Sequence, residues 1–64
     1  MTIGQRIRAL RAAHDMSQDC FAIHAGVSQW TISSIERGKH KPYPRTLERV
    51  EAALTKIGKR RRVK

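Results

Sequence analysis

The sequence predicts an all-α fold: a compact bundle of four short helices with a flexible basic C-terminal tail. Three observations carry this expectation. Apolar residues recur at helical spacing in four separate stretches. A residue suited to opening a helix stands at the head of each stretch. No stretch shows a convincing strand pattern, the period-two alternation of a half-buried strand. Sixty-four residues allow one small domain. An apolar fraction of 39% is enough for a single core, yet a chain this short buries only about 60% of its unfolded surface, so its stability is marginal.

The first helix opens at Thr2, whose spacing to Gln5 is that of a reciprocal capping box. Ile3, Ile7 and Leu10 then share one face, and the chain breaks away at Asp15 and Met16. Ser17 caps the second helix, which brings Phe21, Ala22 and Ala25 together. Gly26 ends it, in the left-handed conformation that glycine alone adopts cheaply. Ser28 caps the third helix, with Ile32 and Ile35 inward, and Gly38 stops it. Lys39–Tyr43 reads as a basic loop, with Tyr43 anchored against the fourth helix. Pro44 suits the first position of that helix, and Leu47, Val50, Leu54 and Ile57 form its inner stripe.

Gln18–Arg37 is the decisive segment. Two short helices meet at Gly26 with too few linking residues to lie antiparallel. Phe21, Ala22, Ala25, Val27, Ile32 and Ile35 all point inward and lock the pair at a steep angle, with small Ala22 at the crossing. This is a helix-turn-helix arrangement, whose second helix enters the major groove of DNA.

In this segment and around it the chain resembles the Cro/phage-repressor (XRE) helix-turn-helix family, over about residues 2–55. The likeness rests on Ile7-Arg8-x-Leu10-Arg11, Ser17-Gln18-x-x-Phe21-Ala22, Ala25-Gly26-Val27-Ser28, Thr31-Ile32-Ser33-x-Ile35-Glu36-Arg37-Gly38, Lys41-Pro42 and Thr46-Leu47. It implies a repressor-like bundle of four or five helices and a bacterial or phage transcription regulator. The chain departs from the pattern in three places. The basic tail replaces a fifth helix, Glu51 stands where a small apolar residue is usual, and Trp30 stands where small or polar residues are common.

Helical geometry sorts the side chains of the third helix. At about 100° per residue from Ile32, Ile35 and Glu36 fall inward, while Trp30, Ser33, Ser34 and Arg37 fall outward; Gln29 sits at the exposed N-terminal end. The resemblance implies that Gln29, Trp30 and Ser34 read base edges. Glutamine can bond adenine through N6 and N7 together, and Trp30 can pack on a thymine methyl or a sugar. Phosphate contacts are expected to surround this helix, from Ser17 and Gln18 at an anion-favouring helix N-terminus, and from Ser33, Arg37, Lys39 and Lys41. Inward Glu36 needs a partner, because an unpaired buried carboxylate is too costly to keep charged. Arg11, on the margin of the first helix's apolar stripe, is the residue that the resemblance pairs with it.

Charge is concentrated at one end. Residues 1–55 carry eight basic and five acidic side chains; residues 56–64 carry six basic and none acidic. The formal charge of +9 points to a polyanionic partner. The composition changes at Gly58, so the expected division is a domain over 1–57 and a flexible tail over 58–64, with Lys59, Arg60, Arg61, Arg62 and Lys64 as a basic arm.

Other chemistries lack their residues. Cys20 is the single cysteine, so no internal disulfide and no Cys-based zinc site is expected. His14, His24 and His40 have no metal-ligand spacing, the serines are explained as caps and outer-face residues, and no glycine-rich phosphate loop exists. No cofactor, metal or enzymatic activity is expected. Nothing resembles a signal peptide or a membrane span, which points to the cytoplasm. Cys20 and Ile23 form a small apolar patch off the core face.

The expected function is sequence-specific binding of double-stranded DNA as a transcriptional regulator of the repressor type, acting as a homodimer on a near-palindromic site. The rival readings are the DNA-binding antitoxin of a toxin–antitoxin pair and a protein-interaction module on the same fold. A membrane-active helix is opposed by Gly26, Gly38, Pro42 and Pro44, which interrupt the chain.

The arm yields a quantitative expectation. If about four of its charges meet phosphates, deleting residues 59–64 flattens the slope of log affinity against log salt by roughly 3.6 per monomer. Affinity then falls for every duplex at low salt, while the preferred sequence and the fold survive. Salt titrations of the full and shortened chains measure this; an unchanged slope leaves the arm without a role in binding.

Overall fold

The computed structural model describes residues 1–39 and 42–59. In these residues the chain forms four helices: α1 (Ile3–His14), α2 (Gln18–Ala25), α3 (Gln29–Arg37) and α4 (Pro44–Gly58). Their starts follow from side-chain chemistry. At α1 the Thr2 hydroxyl accepts from the Gln5 amide at 3.1 Å, and the Gln5 side chain accepts from the Thr2 amide at 2.9 Å. Ser17 caps α2 by accepting from the Cys20 amide at 3.0 Å, and Ser28 caps α3 by accepting from the Thr31 amide at 3.1 Å. Each bond satisfies a backbone donor that the first helical turn leaves without a partner. Pro44 opens α4, where its missing N–H costs nothing.

The stops are left-handed. Gly26 (φ 72°) and Gly38 (φ 70°) close α2 and α3. Asp15 closes α1 at φ 56° and is the only non-glycine residue with positive φ among those described. Its short polar side chain tolerates that conformation better than most. Here the Met16 amide donates back to the Arg11 carbonyl at 2.8 Å.

α1 and α2 touch each other little. α3 packs on both, α4 packs on both, and α3 and α4 touch little. The core is Ile7, Phe21, Ala22, Ala25, Ile32, Ile35, Val50, Ala53, Leu54 and Ile57, with Ile3, Leu10, Met16 and Val27 packed at its edge. Phe21, Ile7, Ile32 and Val50 are fully enclosed, each stabilising the fold by about 1.5–3 kcal/mol.

Two apolar residues differ from their expected places. Leu47, assigned to the inner stripe of α4, is 36% exposed. It lies in the first turn of α4, and the buried stripe begins at Val50 and takes in Ala53. Tyr43 is 81% exposed and does not anchor its ring on α4. Its backbone does the holding, with its carbonyl accepting from the Leu47 amide at 2.8 Å. Glu51 has a partner, Arg6 on α1, at 3.0 Å. Both are well exposed, so the pair adds at most about 1 kcal/mol.

Gly4 is a core feature that apolar periodicity does not reveal. It is buried in α1 against α3, and a Cβ built on it would stand 2.5 Å from the Ile35 carbonyl oxygen. The two helices therefore meet backbone to backbone. Gly4→Ala gains about 1 kcal/mol of helix propensity but forces α1 off α3, and overpacking of this kind costs about 1–3 kcal/mol. Its expected net effect is destabilising. Gly58→Ala, where the nearest atom to a new Cβ is a Leu10 methyl at 3.9 Å, is neutral or stabilising by about 0.5 kcal/mol. Thermal melts of the two variants test the contrast.

Candidate nucleic-acid interface

The surface that α3 presents depends on how its inner side is held. Glu36, with its side chain 6% exposed, receives Arg11 side-on. Arg11 Nε donates to Glu36 Oε2 at 2.8 Å and Nη2 donates to Oε1 at 2.9 Å. The planar guanidinium and the carboxylate thus match in two parallel bonds. The remaining terminal nitrogen, Nη1, donates to the Met16 carbonyl at 3.0 Å. One side chain of α1 therefore fixes both the start of the α1–α2 connection and the inner side of α3. The hydrogen bond to Glu36 raises the Arg11 pKa above the ordinary guanidinium value, against the opposing effect of burial. A raised folded-state pKa gives a contribution that is complete at neutral pH and lost only as the solution becomes strongly alkaline.

Gln18 extends this arrangement outward. Its Nε2 donates to Glu36 Oε1 at 3.2 Å, and its Oε1 accepts from Gln29 Nε2 at 3.5 Å. A carboxylate only accepts, so the amide must turn its nitrogen to Glu36 and its oxygen to Gln29. A line of polar contacts runs from Arg11 through Glu36 and Gln18 to Gln29. This side-chain position of Gln18 has no signal in the sequence and leaves its backbone N–H at the helix start unaffected.

The other expected site residues are distributed unevenly. Gln29, Trp30 and Arg37 are exposed on α3, and Lys39 is exposed just after it. Ser17 is exposed at the start of α2, and Ser33 is partly covered. Ser34 departs from its expected outward position and is only 9% exposed. Helical angles place it outward, but they take no account of the chain after Gly38. Pro42 and Tyr43 come back beside α3 and enclose a recess of about 350 Å³. Trp30, Ser34 and Ile35 line it on one side, with Pro42, Tyr43 and Thr46 on the other. Lys41, Arg60, Arg61, Arg62 and Lys64 lie outside the described residues, and Lys59 caps α4.

One further contact had no signal in the sequence. Arg49 Nη1, on α4, donates to the Gly26 carbonyl at 3.2 Å. This ties α4 to the turn between α2 and α3. Among the described residues no group of three His, Cys, Asp or Glu side chains could hold a metal, and no helix is long and apolar enough to cross a membrane.

A family model described as a helix-turn-helix domain matches residues 2–56. The chain is similar to an uncharacterized HTH-type transcriptional regulator, RghRB, of Bacillus subtilis strain 168, at 40% identity over 52 residues, 80% of this chain and 37% of that one. It is 41% identical over 54 residues to the immunity repressor protein of Bacillus phage phi105, covering 84% of this chain and 38% of the repressor. A third relative, the uncharacterized HTH-type transcriptional regulator Mb0023 of Mycobacterium bovis, is 43% identical over 51 residues, 80% of this chain and 20% of its own. The chain thus spans less than two fifths of the length of these relatives. No solved structure matches it.

The Arg11–Glu36 pair yields an asymmetric prediction. Breaking a buried pair costs about 3–5 kcal/mol because one charge is left behind. After Glu36→Ala, Arg11 keeps the Met16 carbonyl and is already 20% exposed, so the loss is about 3 kcal/mol. Arg11→Ala leaves the more deeply buried carboxylate with only the neutral amide of Gln18 and costs more. Arg11→Met combined with Glu36→Leu recovers much of the loss. Denaturant titrations of the three variants check the order, and equal single losses would count against it.

Proposed function

Since the chain belongs to the helix-turn-helix domain family, we propose that it binds double-stranded DNA sequence-specifically as a transcriptional regulator, reads the major groove with α3, and represses by occupying an operator. The carrying observation is the two-sidedness of α3. Ile32 and Ile35 are sealed in the core, while Gln29, Trp30 and Arg37 stand in solvent on the same nine-residue helix. A helix held this firmly on one side and largely exposed on the other is suited to entering a groove. The printed descriptions of the relatives, transcriptional regulators and a phage immunity repressor, support the same reading.

Gln29 and Trp30 read base edges in this proposal. Ser17, the free N–H of Gln18, Ser33, Arg37, Lys39 and Lys41 hold phosphates, and the basic arm adds counterion release. Ser34 acts from the floor of the recess rather than from an open face. A single α3 touches too few bases to find one site in a genome, so the proposed working form is a homodimer on two half-sites, acting in the cytoplasm. The action needs no chemistry of its own.

Selection of bound duplexes from a random pool tests the reading, and a recurring two-fold motif is the expected outcome. Gln29→Ala should then weaken the selected site by about 1–3 kcal/mol. Binding to a scrambled duplex should change little, since no phosphate contact is lost. Equal losses on both duplexes would remove Gln29 as a reader, and a pool with no enriched motif would remove the proposed function.

A further inference from the structure

Arg49 is not among the proposed DNA contacts, yet from α4 its head reaches the turn that joins α2 to α3. That turn is Gly26, Val27 and Ser28, and its bonds go to three helices. The Gly26 amide donates to the Ile23 carbonyl at 3.2 Å and the Val27 amide to the Ala22 carbonyl at 3.0 Å, which fastens the turn to α2. The Ser28 hydroxyl accepts from the Thr31 amide, which fastens it to α3. The Gly26 carbonyl accepts from Arg49 Nη1 at 3.2 Å, which fastens it to α4.

The third attachment differs from the other two. The bonds to α2 and α3 shape the turn from the two helices that it joins. The bond from Arg49 places it against a separate part of the core. The base of that side chain is fixed, because the next residue, Val50, is fully enclosed and Ala53 is buried. α4 packs on α2 but makes little contact with α3, so Arg49 is its hold on the approach to α3. Gln29 stands three residues after Gly26 and is the first residue of that helix. At the far end of α3, Glu36 is held by Arg11. The reading helix thus has a guanidinium anchor near each end, one from α1 and one from α4.

We propose that Arg49 is a positioning residue for DNA recognition, which sets the start of α3 where Gln29 can meet its base. The inference rests on the DNA-binding reading above. A recognition group works only when held to within about 0.5 Å of its productive place, so a loosened turn is felt at Gln29. The core feels it little. Arg49 is exposed, and one hydrogen bond at the surface contributes modestly to stability.

The experiment measures affinity for the selected duplex and for a scrambled one across a salt series, alongside thermal melts. Arg49→Met should weaken the selected duplex by about fivefold, the factor of one net hydrogen bond. Its binding to the scrambled duplex, its salt slope and its melting temperature should stay near those of wild type. A chain of 64 residues is within reach of chemical synthesis, so citrulline can stand in place of Arg49. Citrulline keeps an N–H donor and the length of the side chain but carries no charge, and it should restore most of the lost selectivity. Equal losses on both duplexes, with the salt slope flattened by about 0.9 per monomer and no rescue by citrulline, would make Arg49 a phosphate contact and overturn the positioning role. So would unchanged binding of Arg49→Met to the selected duplex, or a melt that falls together with its binding. Each of these leaves the DNA-binding reading standing. Failure to select any preferred duplex would overturn both.

Discussion

Everything on the outer side of α3 depends on one contact on its inner side, the two-bond pairing of Arg11 with Glu36. A small core of ten residues does not by itself fix the rotation of a nine-residue helix about its own axis. Ile32 and Ile35 favour burial but tolerate small turns, because apolar contact has no direction. A bidentate ion pair does have direction, and it is anchored on α1, which also packs on α4. With Glu36 fixed, Gln18 is oriented, and Gln29 after it. A charge in the interior thus sets the orientation of an amide at the surface.

The fold was legible because its boundaries are local chemistry. Thr2, Ser17 and Ser28 make the caps that their spacing implies, and Gly26 and Gly38 make the left-handed stops. These features need only neighbours a few residues away. The Arg11–Glu36 contact spans 25 residues, and it was legible because an inward carboxylate requires a cation and the family resemblance supplied one.

What the sequence hid is what depends on the path of the chain between helices. Ser34 is outward by angle and covered in fact, since the return of Pro42 and Tyr43 is not encoded in the period of α3. Leu47 has the right spacing, yet it stays exposed in the first turn of α4. Gly4 carries no periodic signal at all, because its contribution is the absence of a side chain. Arg49 on the Gly26 carbonyl likewise depends on where α4 passes. The side-chain bond of Gln18 to Glu36 likewise spans two helices and has no local signal.

The backbone contact at Gly4 has a mechanical consequence. Flexible side chains between two helices act as a compliant layer that lets them slide or tilt. Between α1 and α3 that layer is absent at Gly4, and close-packed interiors transmit strain with little give. α3 also borders the recess and makes little contact with α4. The helix is therefore stiff toward α1 and yielding toward α4. A surface that presses on α3 moves α1 with it as one body, and whatever adaptation the fit demands falls to the start of α4 or to the partner itself.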